Sequence, residues 1–197
     1  MAHSGGVDDR WESLFADAEA QFESLRRGEV EAEAADRSRR EFALVRFVDR
    51  LRGAVGVAVE VWLDAEPGWA GEPARGVLVR VGPDWLLLGG EGRREVLVPL
   101  AAVSAIAGLP GRTALPGAGG KVEAKLDLRY ALRRLARDRI PVRVALRGGR
   151  ATWGTFDRVG RDFVELAEHL PGEARRAAAV RSIRSIPLGA LRAVCAG

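Results

Sequence analysis

The chain has 197 residues, of which 47% are hydrophobic, so it can build a packed core and is not globally disordered. Its single cysteine, Cys195, excludes an internal disulfide and a cysteine-based zinc site, and is typical of a protein kept in a reducing cytoplasm. The formal net charge is +4, but residues 121–197 carry 17 basic and 8 acidic side chains, a net charge of +9. Such a basic second half is typical of a protein with an anionic partner.

The beginning of the chain, M-A-H-S-G-G-V-D-D-R, is polar and acidic, and it lacks the apolar core of a signal peptide. The longest apolar stretch, residues 96–109, is too short to span a bilayer. We therefore expect no membrane association and a cytoplasmic location.

The first 40 residues are predicted to form an N-terminal helical segment. Apolar residues between positions 8 and 27 recur at spacings of 4, 3, 4 and 3, which places them on one stripe of an amphipathic helix. This stripe is expected to dock a protein partner, to mediate self-association, or to pack on the rest of the chain. Its candidate docking residues are Trp11, Phe15, Phe22 and Leu25.

Residues 28–41 are charged and are expected to be a solvated helix or a flexible connection. Residues 41–52 regain a helical apolar face.

Residues 41–109 then change from helical to strand periodicity. Five short apolar or alternating runs, at 57–63, 74–81, 85–88, 95–100 and 102–107, are separated by glycine- and proline-containing turns. This pattern predicts a helix followed by a small closed β-barrel of five strands. Residues 110–124 are rich in glycine and proline and are predicted to be a linker.

Residues 125–197 repeat the same order, a basic helix and five short strands. The run G-V-L-V-R-V-G-P-D-W-L-L-L at 76–88 shares its glycines, arginine and aspartate with G-T-F-D-R-V-G-R-D-F-V-E-L at 154–166. Because glycine and aspartate favour sharp strand–turn–strand connections, the repeat predicts a duplicated fold. The predicted class is mainly β with helices: two tandem five-stranded SH3-like barrels, each preceded by a helix, plus the N-terminal amphipathic helix.

The run V-A-L-R-G-G-R-A-T-W-G-T-F-D at 144–157 resembles the first motif of the Sm-like family of small β-barrels. The resemblance implies a bent five-stranded barrel and binding of RNA. It assigns no nucleotide-contacting residues, because the fourth-to-fifth-strand loops read P-L-A-A and P-L-G-A, without the basic residues of the family. The run R-E-V-L-V-P-L-A-A-V at 94–103 also resembles the end of a PRC barrel, a protein-docking module.

No catalytic or metal-binding spacing surrounds the histidines or the cysteine, so we expect a protein that is not an enzyme and has no cofactor or metal. His169 is expected to be a solvated loop residue, and Phe156 and Phe163 are expected in the core.

Two functions remain open. The first is binding of RNA or DNA, RNA being favoured, through the basic second half; the second is a protein–protein adaptor that docks partners through the N-terminal helix and the barrel edges. The nucleic-acid hypothesis is narrowly favoured by the net charge of the second half. Its candidate residues are Arg129, Arg133, Arg134, Arg137, Arg143, Arg147, Arg150, Arg158, Arg161 and Trp153.

Overall fold

The structure, a computed structural model, describes residues 5–64, 73–90, 94–115, 120, 125–172, 176 and 179–196, with side chains from residue 14 onward. The chain divides into two compact units, Met1–Val45 and Arg46–Gly197. The linker predicted at 110–124 lies partly outside the described residues. The predicted domain boundaries at 40, 109 and 124 stay a prediction.

The first unit contains one long helix, α1, at Gly5–Ala43. It includes both the predicted helix at 8–27 and the charged segment at 28–41, which is helical. Exposed ion pairs between residues three or four positions apart, such as Arg37 with Glu33 and Arg39 with Asp36, stabilise the polar second half of this helix. The single helix predicted over 41–52 is interrupted at residues 44–46, after which α2 begins.

The second unit is mainly β. Turns that contain glycine separate the strands. Along each strand the buried positions either alternate or follow one another, as expected of a sheet that has core side chains on one face in some places and on both faces in others. Its elements are α2 (Phe47–Arg52), β1 (Ala58–Leu63), β2 (Ala74–Val81), β3 (Trp85–Gly89), β4 (Glu95–Pro99), a 3₁₀ helix (Leu100–Ala102), β5 (Val103–Ala107), α3 (Leu128–Arg137), β6 (Pro141–Leu146), β7 (Ala151–Val159), β8 (Phe163–Glu168), β9 (Ser182–Pro187), a second 3₁₀ helix (Leu188–Ala190) and β10 (Leu191–Ala196).

The prediction of two closed five-stranded barrels is wrong. The ten strands form one antiparallel sheet in the order β5-β1-β2-β3-β4-β10-β6-β7-β8-β9. The physical reason is that β4 pairs with β10 of the other half, so neither half closes on itself. Within the described residues the sheet remains open, with β5 and β9 at its two ends.

The two halves of this sheet nevertheless have matching geometry. Each half has its fifth strand beside its first, and each has a register shift in the same place, in the pairings of β2 with β3 and of β7 with β8. The turn after the second strand is closed in the same way, because Gly82 N donates to Trp85 O and Gly160 N donates to Phe163 O. Residues 58–64 therefore correspond to 141–147, 74–89 to 152–167, and 95–107 to 183–195.

Both halves share their cores. A first cluster of buried side chains, built mainly on Leu51, Val61 and Leu86, includes Ala145 and Ala193 from the second half. A second cluster contains Phe156 and Leu132 of the second half together with Trp85 and Leu97 of the first. Phe156 is fully buried, as the sequence predicts, whereas Phe163 is exposed. Since each cluster contains side chains from both halves, the halves stabilise one another. In the described part of the chain, no helix is both long enough and apolar enough to cross a membrane.

Candidate nucleic-acid interface

Two turns of the second half meet at the 3₁₀ helix Leu188–Ala190. Arg147 N, at the start of the β6–β7 turn, donates to Ala190 O at 2.8 Å. Leu188 N donates to Asp162 O of the β7–β8 turn, also at 2.8 Å. Because both turns are bonded to the same three residues, the side chains that they carry lie around one end of the sheet.

These turns carry three of the candidate arginines. Arg147, Arg150 and Arg161 are exposed, and none has an ion-pair partner among the described residues. One carboxylate, that of Asp162, also lies on these turns, so their net charge is +2 (three arginines and one aspartate). We call the β6–β7 and β7–β8 turns, which carry Arg147, Arg150 and Arg161, the arginine turns.

The matching positions of the first half have a different charge. Asp64 corresponds to Arg147, since Asp64 N donates to Ala102 O just as Arg147 N donates to Ala190 O. Pro83 corresponds to Arg161. The backbone is therefore common to both halves, and the positive charge belongs to the second half alone.

The strands that lead into the β6–β7 turn carry an aromatic platform. Trp153 is 41% exposed, and the Arg143 guanidinium on the neighbouring strand lies 5.9 Å from the centre of its ring. Strand geometry places this pair about 10 Å from the turn, at ~3.3 Å per residue. A base or a peptide side chain could stack on the remaining exposed surface of the indole.

Helix α3 presents further arginines, but acids at both of its ends partly neutralise them. Asp127 is the N-cap residue and accepts a hydrogen bond from Tyr130 N at 2.8 Å. Burial raises the pKa of Asp127, but this hydrogen bond and the Arg129 guanidinium, 2.6 Å away, outweigh it and lower the pKa below its usual value. At the other end, Arg137 pairs with Asp138 at 3.0 Å.

Helical spacing places Arg129, Arg133 and Arg137 on one face of α3, as the sequence predicts. Arg134 lies beside Arg137, because its Nε is 3.9 Å from Oδ2 of Asp138, the acid that also pairs with Arg137, and it lines a groove of about 470 Å³ between α3 and the sheet. The floor of this groove is apolar and includes Leu97, Ile140 and Val194. Asp138 therefore partly neutralises both Arg134 and Arg137.

Arg158 belongs neither to the arginine turns nor to the arginines of α3. It lies on β7 and pairs with Glu165 directly across the β7–β8 ladder at 2.7 Å, with its own side chain 79% exposed. Since an exposed cross-strand pair is weak, Arg158 can still offer charge to solvent, but less than an arginine without an acidic neighbour.

The sequence reasoning missed two arginines between β8 and β9. His169 N donates to Trp153 O, and Arg181 N donates to Glu168 O, so the two ends of this connection lie beside the strand that carries Trp153. Arg176 and Arg181 of this loop are exposed and have no ion-pair partner among the residues that the structure describes. The signal in the sequence is the density of arginines at 175–184.

Glu168 anchors the base of that loop. It accepts hydrogen bonds from the hydroxyls of Thr152 and Ser182 and pairs with Arg184 at 2.9 Å. Burial raises the pKa of Glu168, but these hydrogen bonds and the nearby guanidinium lower it by more, leaving it below the usual value. The ionised carboxylate therefore stabilises the join between β7, β8 and β9.

His169 is buried, which corrects the expectation of a solvated residue. Its Nδ1 donates to Leu170 O at 3.0 Å, so its Nε2 is left to accept from the Thr155 hydroxyl at 2.9 Å. Cys195 is half-buried, and desolvation raises the pKa of its thiol despite Arg143 and Arg94 nearby. Such a thiol is a poor nucleophile. No group of three or more His, Cys, Asp or Glu side chains suited to a metal occurs within the described ranges.

The predicted partner-docking residues lie on α1. Phe15, Phe22 and Leu25 are 62–70% exposed, and the Trp11 side chain lies outside the described residues.

No protein-family model matches the chain, and no curated protein is similar to it at a significant level. The resemblance to Sm-like proteins therefore stays a prediction.

Proposed function

We propose that this protein binds nucleic acid, single-stranded RNA in the first place, through the arginine turns and the Trp153 platform of its second half. The observation that carries the proposal is the meeting of two turns at one 3₁₀ helix, which gathers Arg147, Arg150 and Arg161 without acidic partners in the described part of the chain. Arginines that form no ion pair within the protein can contact phosphates without first breaking one.

A single strand suits this surface better than a duplex. Trp153 presents an exposed ring about 10 Å from the β6–β7 turn with Arg147 and Arg150, a distance that a few unstacked nucleotides can cover. The indole would stack on a base while the arginines bind the flanking phosphates. Arg176 and Arg181 would extend the contact along the β8–β9 loop. We further infer a cytoplasmic binding protein that performs no catalysis.

An adaptor is the second candidate, and the exposed apolar residues of α1 favour it. Phe22 is 70% exposed and Leu25 is 66% exposed, on a helix of 39 residues. In this case the arginines would bind an acidic protein surface.

The test is a titration of fluorescent single-stranded RNA, single-stranded DNA and duplex DNA with the full chain at ~50 and ~200 mM salt, over which several phosphate contacts should cost orders of magnitude in affinity. We expect RNA to bind most tightly. Trp153→Ala should weaken RNA binding by roughly 5- to 100-fold, the range for loss of one stacked base, while Trp62→Ala, an exposed tryptophan of the first half, should not. No binding of any polymer at low salt would contradict the proposal and leave the adaptor.

A further inference from the structure

The groove between α3 and the sheet belongs neither to the arginine turns nor to the Trp153 platform. One wall is α3, whose lining residues recur three or four positions apart and therefore share one side of the helix. The floor is the face of β2, β3, β4 and β10 that lies below this helix. The volume of about 470 Å³ is within the range of ~300–1,000 Å³ that is typical of small-molecule sites.

One row of paired residues crosses the floor from a buried end to an exposed end. Val194 of β10 pairs with Leu97 of β4. Leu97 pairs with Leu87 of β3, which in turn pairs with Arg80 of β2. Val194 is 1% exposed and Leu97 is 5% exposed, whereas Leu87 is half-buried and Arg80 is exposed. At about 4.8 Å per strand the row is about 14 Å long, with apolar side chains at its inner end and a guanidinium at its outer end.

The charges around the groove favour an anion at this outer end. Arg80 has no ion-pair partner among the described residues. Two carboxylates also line the groove, those of Glu95 and Asp138, but Asp138 is shared by Arg134 at 3.9 Å and Arg137 at 3.0 Å. Glu95 lies on β4, two strands away from β2. These three arginines and two carboxylates have a net charge of +1, and Arg80 is the cation at the open end of the row.

We propose that this groove binds an amphipathic carboxylate with an unbranched hydrocarbon tail, such as a medium-chain fatty acid. The tail would lie along Leu87, Leu97 and Val194 beneath α3, and the carboxylate would pair with the Arg80 guanidinium at the mouth. Burial of the tail methylenes supplies most of the affinity, and the guanidinium selects an anionic head group. Such a site is independent of the arginine turns, so it does not require that the protein binds nucleic acid.

Titration calorimetry of the full chain with decanoate, decanol and decyltrimethylammonium tests the head group. One molecule should bind per chain, decanoate most tightly and the cation least. From hexanoate to decanoate, each methylene that enters the groove should tighten binding by about fourfold. Because the ligand binds the folded chain, decanoate should also raise the temperature of thermal unfolding.

Two variants place the ligand in the groove. Arg80→Gln removes the charge and should weaken decanoate binding roughly fivefold while leaving decanol binding unchanged. Arg26→Gln, at an exposed arginine of α1, is the matched control and should bind decanoate normally. Ala131→Leu fills the groove from the side of α3 and should prevent binding of all three compounds, with circular dichroism to check that the chain is folded.

Three results would overturn the proposal. The first is the absence of saturable binding of decanoate. The second is decanol binding as tightly as decanoate, and the third is decanoate binding that Arg80→Gln leaves unchanged. The last two comparisons keep the test valid if Ala131→Leu fails to fold.

Discussion

The Nε of Arg192 donates to the backbone carbonyl of Asp64 at 2.6 Å, across 128 residues of sequence. Arg192 is only 1% exposed, and its Nη1 also donates to the carbonyls of Gly189 and Leu191. This single side chain connects the end of β1 in the first half to the bulge of β10 in the second. It therefore holds in place the strand that prevents either half from closing on itself.

Replacing Arg192 should loosen that joint. Arg192→Met keeps much of the volume but leaves several buried carbonyls without their charged donor, and we expect a loss of about 2–3 kcal/mol in the free energy of unfolding. Urea denaturation measures this loss. Ser104→Ala changes the corresponding bulge of β5 and is the control, with an expected effect within about 0.5 kcal/mol. Equal losses in the two variants would contradict the role of Arg192.

The paired glycines of the two turns should differ in their tolerance of a side chain. A Cβ on Gly82 would lie 2.2 Å from the ring of Trp85, and a Cβ on Gly160 would lie 2.4 Å from the ring of Phe163. Trp85 is held in the core, whereas Phe163 is exposed and can move. Gly82→Ala should therefore cost about 1–3 kcal/mol in unfolding free energy, and Gly160→Ala clearly less. Thermal and urea unfolding of the two variants give the comparison, and a larger loss for Gly160→Ala would refute it.

Glu168 should make stability depend on acid. Its pKa is lowered in the folded state, so its contribution is fully present above the unfolded pKa, near 4.5, and is lost as pH falls through the folded value. Glu168→Gln should lower the free energy of unfolding by about 1–3 kcal/mol at pH 7. Urea denaturation at a series of pH values should show the difference from the native protein shrinking in acid. A difference that is constant with pH would exclude the ionised carboxylate as its cause.

Asp84 should behave in the opposite way. Burial, followed by the charge of Asp127, raises its pKa in the folded state, although the Leu128 N–H lowers it. The contribution of such a group is present below the unfolded pKa, near 3.8, and is lost as pH rises through the folded value. At pH 7, Asp84→Asn should therefore be at least as stable as the native protein, because the amide oxygen can still accept from Leu128 N. Asp127→Asn, at the N-cap whose pKa is lowered, is the matched contrast and should be less stable than the native protein at pH 7. A loss in Asp84→Asn as large as that in Asp127→Asn would contradict this reasoning.

The sequence shows which segments form strands but not which strands pair. The skeleton shared by 76–88 and 154–166 correctly indicates two copies of one strand–turn–strand unit, because glycine and aspartate are required at the same bends. It cannot show that β4 pairs with β10, since Val96 and Val194 are apolar strand residues in either arrangement. The contact between the buried Arg192 and Asp64 could not be predicted for the same reason. Arg192 lies in an apolar run of the sequence, and nothing in that run indicates that Asp64 is its partner.

The candidate site was predictable in its charge but not in its grouping. Arg129, Arg133 and Arg137 follow from helical spacing. The approach of Arg147 to Arg161 depends on two backbone hydrogen bonds, from Arg147 to Ala190 and from Leu188 to Asp162, which join residues 43 and 26 positions apart. The net charge of the second half also makes Arg158 a candidate, but in the fold it forms a cross-strand ion pair with Glu165.

The most direct measurement is the salt dependence of single-stranded RNA binding by the native protein and by the triple variant Arg147→Ala, Arg150→Ala and Arg161→Ala. A second triple variant, Arg26→Ala, Arg27→Ala and Arg40→Ala, removes the same charge from α1 and is the control. If the arginine turns bind phosphates, the plot of log affinity against log salt should become shallower by about 2 in the first variant and stay unchanged in the control. Equal slopes in all three proteins would show that the arginine turns do not bind the strand.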